Sequence, residues 1–490
     1  MTNKKGTAAM ANGKNNTDQL LALIRDGRKM TIGQQVRLAA WLSVPSMVAQ
    51  LSSIAMQYVD ASMVGHLGAN ASASIGLVST TTWLFGGLCS AVATGFSVQV
   101  AHLIGAGRFV KARRVLRQSI TATLLFGVMI GLTGAAISGM LPGWLGGDKV
   151  IRHDSSIYFL VFSLFLPMLQ LDFLAGSMLR CSGNMRVPSM LGVMMCLLDV
   201  VFNFVLIFPT REANIFGHTL TLYGAGLGVY GAALGTALAE TVTAAAMVWY
   251  LCTRSPLLKL VGELGSYWPH RGTLRKAARI ALPMGFEHAA ICGAQILTTV
   301  IVAPLGIVAI AANSFAIIAE SLCYMPGYGI SEAATTLVGQ SLGANRPNLV
   351  KSFANITVLS GMAVMGAMGV LMYVAAPQLI GWMTPVSEIR TLGIDILRIE
   401  AFAEPMFAAA IVSYGVFVGV GRTIVPSIMN FGSIWGVRLT LAAMLAPTMG
   451  LRGVWLAMCI ELSFRGAIFL MRLWGTKWIV KLQIKRGNGN

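Results

Sequence analysis

The chain has 490 residues, 56% hydrophobic and only 11% charged, with a mean hydropathy of +0.71. A soluble domain carries about 25% charged residues, so this composition excludes a water-facing surface over most of the chain. The net charge of +18 would suggest nucleic acid in a soluble protein, but here the basic residues gather in particular loops, and a nucleic-acid partner is not expected.

Apolar runs of about 20 residues, each able to cross a roughly 30 Å hydrocarbon core, recur along the whole length. Twelve spans are predicted, at 36–64, 73–103, 115–140, 155–180, 187–208, 226–252, 278–303, 308–338, 352–377, 391–418, 425–447 and 450–473. Lipid offers backbone groups no partner, so the spans are helical. The predicted fold class is therefore an all-α integral membrane protein. Its divisions are an N-terminal tail (1–35), a first six-helix unit (36–252), a linker (253–277), a second six-helix unit (278–473) and a C-terminal tail (474–490).

Residues 1–17 are polar and predict a disordered tail without a signal-peptide core. Residues 19–35 predict an amphipathic helix on the inner membrane surface, with Leu20, Leu21, Leu23 and Ile24 opposite Arg25, Arg28 and Lys29. The short HLGANAS segment makes spans one and two a tight hairpin, and 209–224 reads as an external insert. Pro256, Pro269 and several glycines suggest a linker that permits movement. The seven cysteines form no metal-like spacing and read as packing residues.

The halves repeat. Pro45–Gly68 and Pro283–Gly306 share length and punctuation, and the same register pairs Gly105 with Gly343, Gly131 with Gly369, Pro167 with Pro405, Gly183 with Gly421 and Pro188 with Pro426. Glycine and proline mark close packing, turns and kinks, so these matches indicate two homologous halves. Of the 36 Lys and Arg residues, 28 lie in the tails, the even-numbered loops or the span ends that border them, which places both termini in the cytoplasm.

Further motifs are VDASMVGHLG with Pro45 before it, HLIGAGR and its echo QSLGANR, LRCSGNMRVP, LDVVFNFVLIF and GVYGAALGTALAE. On these residues the chain resembles the multidrug and toxic compound extrusion (MATE) transporters. The resemblance covers about residues 36–473. It implies two six-helix bundles forming a V around a central cavity. It also implies a monomeric, multi-pass protein of the plasma membrane (the bacterial inner membrane). The implied activity is efflux of cationic, amphipathic compounds driven by sodium or proton entry, with no cofactor.

Ionisable groups inside a span are costly and count as functional candidates. Ten acids are predicted within spans (Asp60, Asp172, Asp199, Glu240, Glu287, Glu320, Glu332, Glu400, Glu404 and Glu461) against three bases, Arg398, Arg438 and Arg465. Such a cavity suits cations and repels anions. Asp60 and Asn203 each lie about 8 Å from the outer end of their spans, and Asp199 about 14 Å. The i, i+4 spacing puts Asp199 and Asn203 on one helix face. These three are the candidate coupling-cation site, holding sodium through oxygen ligands or sharing a proton; separate helix–helix hydrogen bonds are the alternative. Many relatives carry the amide first and the acid second, the reverse of the order here.

Glu287, Glu320, Glu404, Asp172 and Glu240 are candidates for the substrate cavity or a secondary cation site. One branch of the family has a cation-linked Glu in span seven and an Asp in span ten, each about a turn away from Glu287 and Glu404. Pairing of these glutamates with Arg398 or Arg438 is the alternative. His288 is either a proton partner or packing, and His66 and His102 read as interfacial. Glu461 and Arg465, at i, i+4, read as a structural pair. Pro45, Pro167, Pro283 and Pro405 are candidate bending points. No nucleotide-binding, metalloprotease or nucleophile motif stands out, so no enzyme is expected. A lipid-linked oligosaccharide flippase of similar architecture is the second reading; a pyrophosphate carrier would want cavity arginines, and this chain offers acids.

Overall fold

The computed structural model of the chain describes residues 17–215, 218–262, 264–475 and 478. The polar N-terminal residues 1–16 and most of the C-terminal tail lie outside this set. Eleven helices are long and apolar enough to cross a membrane, and a bent pair supplies the twelfth span. In chain order they are Ile32–Gly65, Ala69–Gly105, Phe109–Ile137, Lys149–Cys181, Arg186–Ile207, Gly228–Thr253, Arg271–Val302, Ile307–Gly343, Pro347–Met383, Ser387–Ala401 with Glu404–Val420, Ile424–Met449 and Leu451–Trp474. The helices overshoot the apolar windows because polar turns continue them beyond the hydrocarbon.

The repeat is visible in the backbone. Gly68 and Gly306 have φ of +112° and +100°, and Gly183 and Gly421 have +94° and +75°. Gly107 (+70°) has Asn345 (+59°) at its repeat position, a substitution the left-handed region tolerates. In the first half spans two, three and six pack on span four, and span five packs on spans one and six. In the second half span ten packs on spans eight, nine and twelve, and span eleven packs on spans seven and twelve.

The two bundles meet through spans one with eight, two with seven and two with eight. A Cβ at Gly105 would run into the Gln340 carbonyl, and one at Gly343 into the His102 carbonyl. The missing side chains therefore let spans two and eight cross backbone to backbone. Trp478 shares one buried cluster with Leu21 and Ile24, so the first and last described segments sit on the same face. We call it the tail face, and the opposite one the hairpin face.

The structure revises the placement of the N-terminal helix and adds detail to the insert and the linker. Residues 17–25 are helical, but Leu21 and Ile24 are buried in protein, and Arg346 Nη1 donates to the Leu23 carbonyl at 2.9 Å. A Cβ at Gly183 would run into the Leu21 side chain, so the helix docks in a socket on protein instead of lying on lipid. The 209–224 insert is an antiparallel hairpin, β1 (Pro209–Ile215) with β2 (His218–Ala225). The linker is anchored. Leu258 and Leu260 are buried beside Leu116 and Leu251, and Arg113 Nε donates to the Leu257 carbonyl at 3.0 Å.

Of the four prolines, only Pro405 lies at a break, next to the 57° bend between Ala401 and Glu404. Pro45, Pro167 and Pro283 sit within uninterrupted helices. The other departure in backbone is a π-helical stretch at Gly432–Arg438 within span eleven.

Gly343→Ala should destabilise the protein, because the added Cβ meets backbone that cannot rotate away; overpacking of this kind costs about 1–3 kcal/mol. Thermal melting in detergent should fall by several degrees. Gly139→Ala, where a Cβ meets nothing within 4 Å, should leave it unchanged.

Candidate functional site

The first bundle brings its three polar candidates together. Asn203 Nδ2 donates to Asp60 Oδ1 at 2.9 Å and to Asp199 Oδ2 at 3.1 Å. Span one supplies one carboxylate and span five the other two groups. Asp199 and Asn203 are 0% and 1% exposed. The pocket exists because span six carries Gly235, where any Cβ would run into Asn203 Oδ1. Toward the hairpin face an apolar cluster of Val64, Ala71, Ile207, Val229 and Ala232, with Tyr158 against it, caps the site.

The amide leaves work undone. Asp199 Oδ1 and Asn203 Oδ1 are buried without hydrogen-bond partners, and an orphaned buried acceptor costs about 1–3 kcal/mol. Two such oxygens beside the Asp60 carboxyl form an acceptor-rich pocket suited to a cation. A proton bridging the carboxyls or a sodium ion taking oxygen ligands would each satisfy it. Deeper in the same bundle, Glu240 lies within electrostatic reach of Asp172 and Asp199. Asp172 Oδ1 is also buried and unpartnered, and Asp172 in turn lies within reach of Arg180.

The second bundle builds something different. Glu287 of span seven accepts from Ser427 Oγ at 2.8 Å and Asn430 Nδ2 at 2.5 Å of span eleven. The π-helix begins two residues after Asn430. It inserts one residue, so the repeat register, 238 at Pro188/Pro426, is 239 beyond it. The close approach of Gly231 to the Leu206 carbonyl is accordingly matched by Gly453 and the Leu445 carbonyl. In that register Arg438 stands where the first bundle has Asp199. Arg438 Nη2 lies 2.8 Å from Glu461 Oε2, Arg465 Nε lies 3.0 Å from Glu461 Oε1, and Ser433 Oγ donates to Glu461 at 2.6 Å. The second bundle thus holds a tethered guanidinium where the first has an acid.

Glu461 and Arg465 pair as expected. Among the described residues no ion pair joins Glu287, Glu320 or Glu404 to Arg398 or Arg438: Arg438 pairs with Glu461 while staying within electrostatic reach of Glu320, and Arg398 lies over the Tyr373 ring at 5.1 Å. Glu320 is buried and lies within electrostatic reach of Arg438, Arg465, Glu400 and Glu404. Both carboxyl oxygens of Glu400 and of Glu404, on either side of the span-ten bend, lack hydrogen-bond partners among the described residues. His288 packs its ring where a Cβ at Gly87 would sit, which explains that glycine. His102 is not simply interfacial: its Nε2 lies 2.7 Å from the Gly419 carbonyl across the bundle boundary. Gly235, Ser427, Asn430 and the π-helix escaped the sequence reading, although a one-residue change of register within span eleven was the available signal for the last.

Removing the shared carboxylate should expose the cost of one buried guanidinium, Arg465, and one partly exposed guanidinium, Arg438. Glu461→Gln is expected to lower stability by about 3–5 kcal/mol, seen as a large fall in melting temperature in detergent. Glu388→Gln, at an exposed position, should have no such effect.

Comparison with known proteins places these features. The MatE family profile matches residues 45–205 and again 283–444; the two matches start 238 residues apart and end 239 apart, the register read from the repeat and the π-helix. The chain is 24% identical over 445 residues to a probable multidrug resistance protein NorM of Thermotoga maritima, covering 89% of this chain and 92% of the relative. It is 27% identical over 452 residues to a NorM of Idiomarina loihiensis (89% and 93%), and 25% identical over 455 residues to the multidrug resistance protein MdtK of Yersinia pestis (90% and 94%). Among solved structures, an outward-facing multidrug resistance MATE transporter of the MOP superfamily superposes with a TM-score of 0.84 at 20% identity, covering 94% of this chain and 98% of that one. A MOP-superfamily transporter from Pyrococcus furiosus gives 0.83 at 20% identity. With the family profile matched in both halves and the two-bundle fold shared, the chain belongs to the MatE family of multidrug and toxic compound extrusion transporters.

Proposed function

We propose that this protein is a secondary active antiporter that exports cationic, amphipathic compounds in exchange for sodium or protons. The observation that carries the reading is the Asp60–Asn203–Asp199 pocket, a buried and incompletely satisfied acceptor set within a lipid-spanning bundle. Membership of the MatE family and the multidrug-resistance names of its relatives support it. In this reading Asp60 and Asp199 hold the coupling cation and Asn203 fixes their spacing. Glu287, Glu320, Glu404, Asp172 and Glu240 give the cavity its sign. A cation bound in one bundle and a substrate between the bundles each favour one of two arrangements, and transport follows from that shared bias.

The units proposed to move are residues 36–252 and 278–473, joined by 253–277. The positive-inside bias puts the tail face in the cytoplasm and the β-hairpin outside. Single cysteines at Leu264 and Tyr223, which are 101% and 80% exposed, check this with an impermeant thiol reagent in intact cells. Only the Tyr223 position should label; labelling at Leu264 alone would invert the topology.

Efflux of ethidium from proteoliposomes, under a sodium or a proton gradient imposed separately, tests the transport and identifies the ion. Asp60→Asn preserves size and hydrogen bonding but cannot ionise. It should abolish gradient-driven efflux at normal membrane levels. Full efflux by that variant would move the coupling role to Glu287 and Glu404.

A further inference from the structure

Glu332 has no part in the site above, yet it lies where the two bundles join. It belongs to a row on span eight (Gly329, Glu332, Thr336, Gln340 and Gly343) whose spacing puts all five on one helix face. That face lies on the first bundle. A Cβ at Gly329 would stand 2.7 Å from Met47 N. Ser46 Oγ donates to Glu332 Oε2 at 2.6 Å, and Arg180 Nε lies 3.6 Å from Glu332 Oε1. Thr336 Oγ1 donates to the Arg180 carbonyl at 3.1 Å, and Gln340 Nε2 to the Cys181 carbonyl at 2.8 Å.

The repeat provides an internal control. Its 238-residue register carries Ser46, Arg180 and Glu332 onto Met284, Val418 and Thr94. Met284 and Val418 sit in one apolar cluster with Ala91, Val98 and Ile280. Thr94 donates its hydroxyl to the Ser90 carbonyl of its own helix at 2.9 Å. Two seams of the same architecture therefore differ in chemistry. The span-two/span-seven seam is apolar at these positions. The span-one/span-eight seam holds an ion pair and a hydroxyl bond.

That difference decides which seam parts more readily. Separating the apolar seam exposes hydrocarbon to water, at about 25 cal/mol per Å². Separating the polar one also exposes apolar residues such as Leu38, Leu42 and Leu337, but its ion pair and hydroxyl bond exchange with water, and a partly exposed ion pair is worth only about 0–1 kcal/mol. The Arg180 and Glu332 side chains are already 25% and 29% exposed. Arg180 also has an alternative acid on its own helix: its guanidinium passes 3.4 Å from where a Cβ on Gly176 would lie, and Asp172 is within electrostatic reach. It can leave Glu332 without becoming unpaired.

We propose that Ser46, Arg180 and Glu332 form a releasable latch, and that the bundles part on the tail face along the span-one/span-eight seam while the span-two/span-seven seam acts as the hinge. The proposal takes from the transport reading only that the bundles separate on this face.

Spin-label distances across each seam test it, in full-length protein without its native cysteines. Labels at Val36 of span one and Lys351 of span nine straddle the Ser352–Gln35 hydrogen bond beside the first seam. Labels at Arg114 of span three and Arg275 of span seven straddle the Thr273–Gln118 hydrogen bond beside the second. Glu332→Gln removes the charge, and Ser46→Ala removes only the hydroxyl bond and is the milder change should Glu332→Gln misfold. Both should raise the long-distance population at Val36–Lys351 several-fold, Ser46→Ala less so, with Arg114–Arg275 unchanged. Glu388→Gln, at an exposed position away from both seams, should move neither. Unchanged distances at Val36–Lys351 in both variants, or equal lengthening across both seams, would overturn the latch. The distances are read without substrate or ion gradient, so their outcome is separable from failure of the transport reading.

Discussion

Polar groups within lipid-spanning helices must find partners inside the protein, because hydrocarbon supplies none. This constraint organises the chain more than helix packing does. Glu461 is the satisfied case: two arginines and a serine close around one carboxylate. The Asp60–Asn203–Asp199 pocket is the unsatisfied case. One amide serves two acids, and two buried oxygens are left over. The fold thus satisfies one buried acid fully and leaves another set short, and on the proposed reading the short set is the one that binds an exchangeable cation.

Duplication explains how one architecture holds both. The halves share turns and close glycine contacts but not polar chemistry. The extra residue of the π-helix rotates the end of span eleven, so that Arg438 takes the place of Asp199. Such one-residue insertions are frequent at functional positions. They change which side chains face the bundle interior without altering how the helices pack. The same divergence gives the two inter-bundle seams different chemistry around a common backbone crossing.

Much of this was legible in the sequence. Twelve apolar runs gave the spans, and glycine and proline in a fixed register gave the repeat. Asp199 and Asn203 share a face by spacing alone, and their depth matched that of Asp60. The sequence could not show which partner each buried acid finds, since that depends on helices far apart in the chain: Ser427 and Asn430 lie 140 and 143 residues from Glu287. Composition misled where an apolar side chain had a protein socket available. Leu21 and Leu258 read as membrane-facing or linker residues and are in fact buried anchors. Of the four candidate prolines only Pro405 marked a helix break, because a proline can sit in a continuous helix when neighbouring helices support it.

The central claim is that the two carboxyl groups of the first bundle carry the exchangeable cation. Infrared difference spectra, recorded as the purified protein is titrated with protons and with sodium, report it most directly through the carboxyl stretching bands. The account predicts a titrating carboxyl signal that is lost in Asp60→Asn and in Asp199→Asn and kept in Glu287→Gln. A signal that survives both aspartate substitutions unchanged and disappears in Glu287→Gln would contradict it.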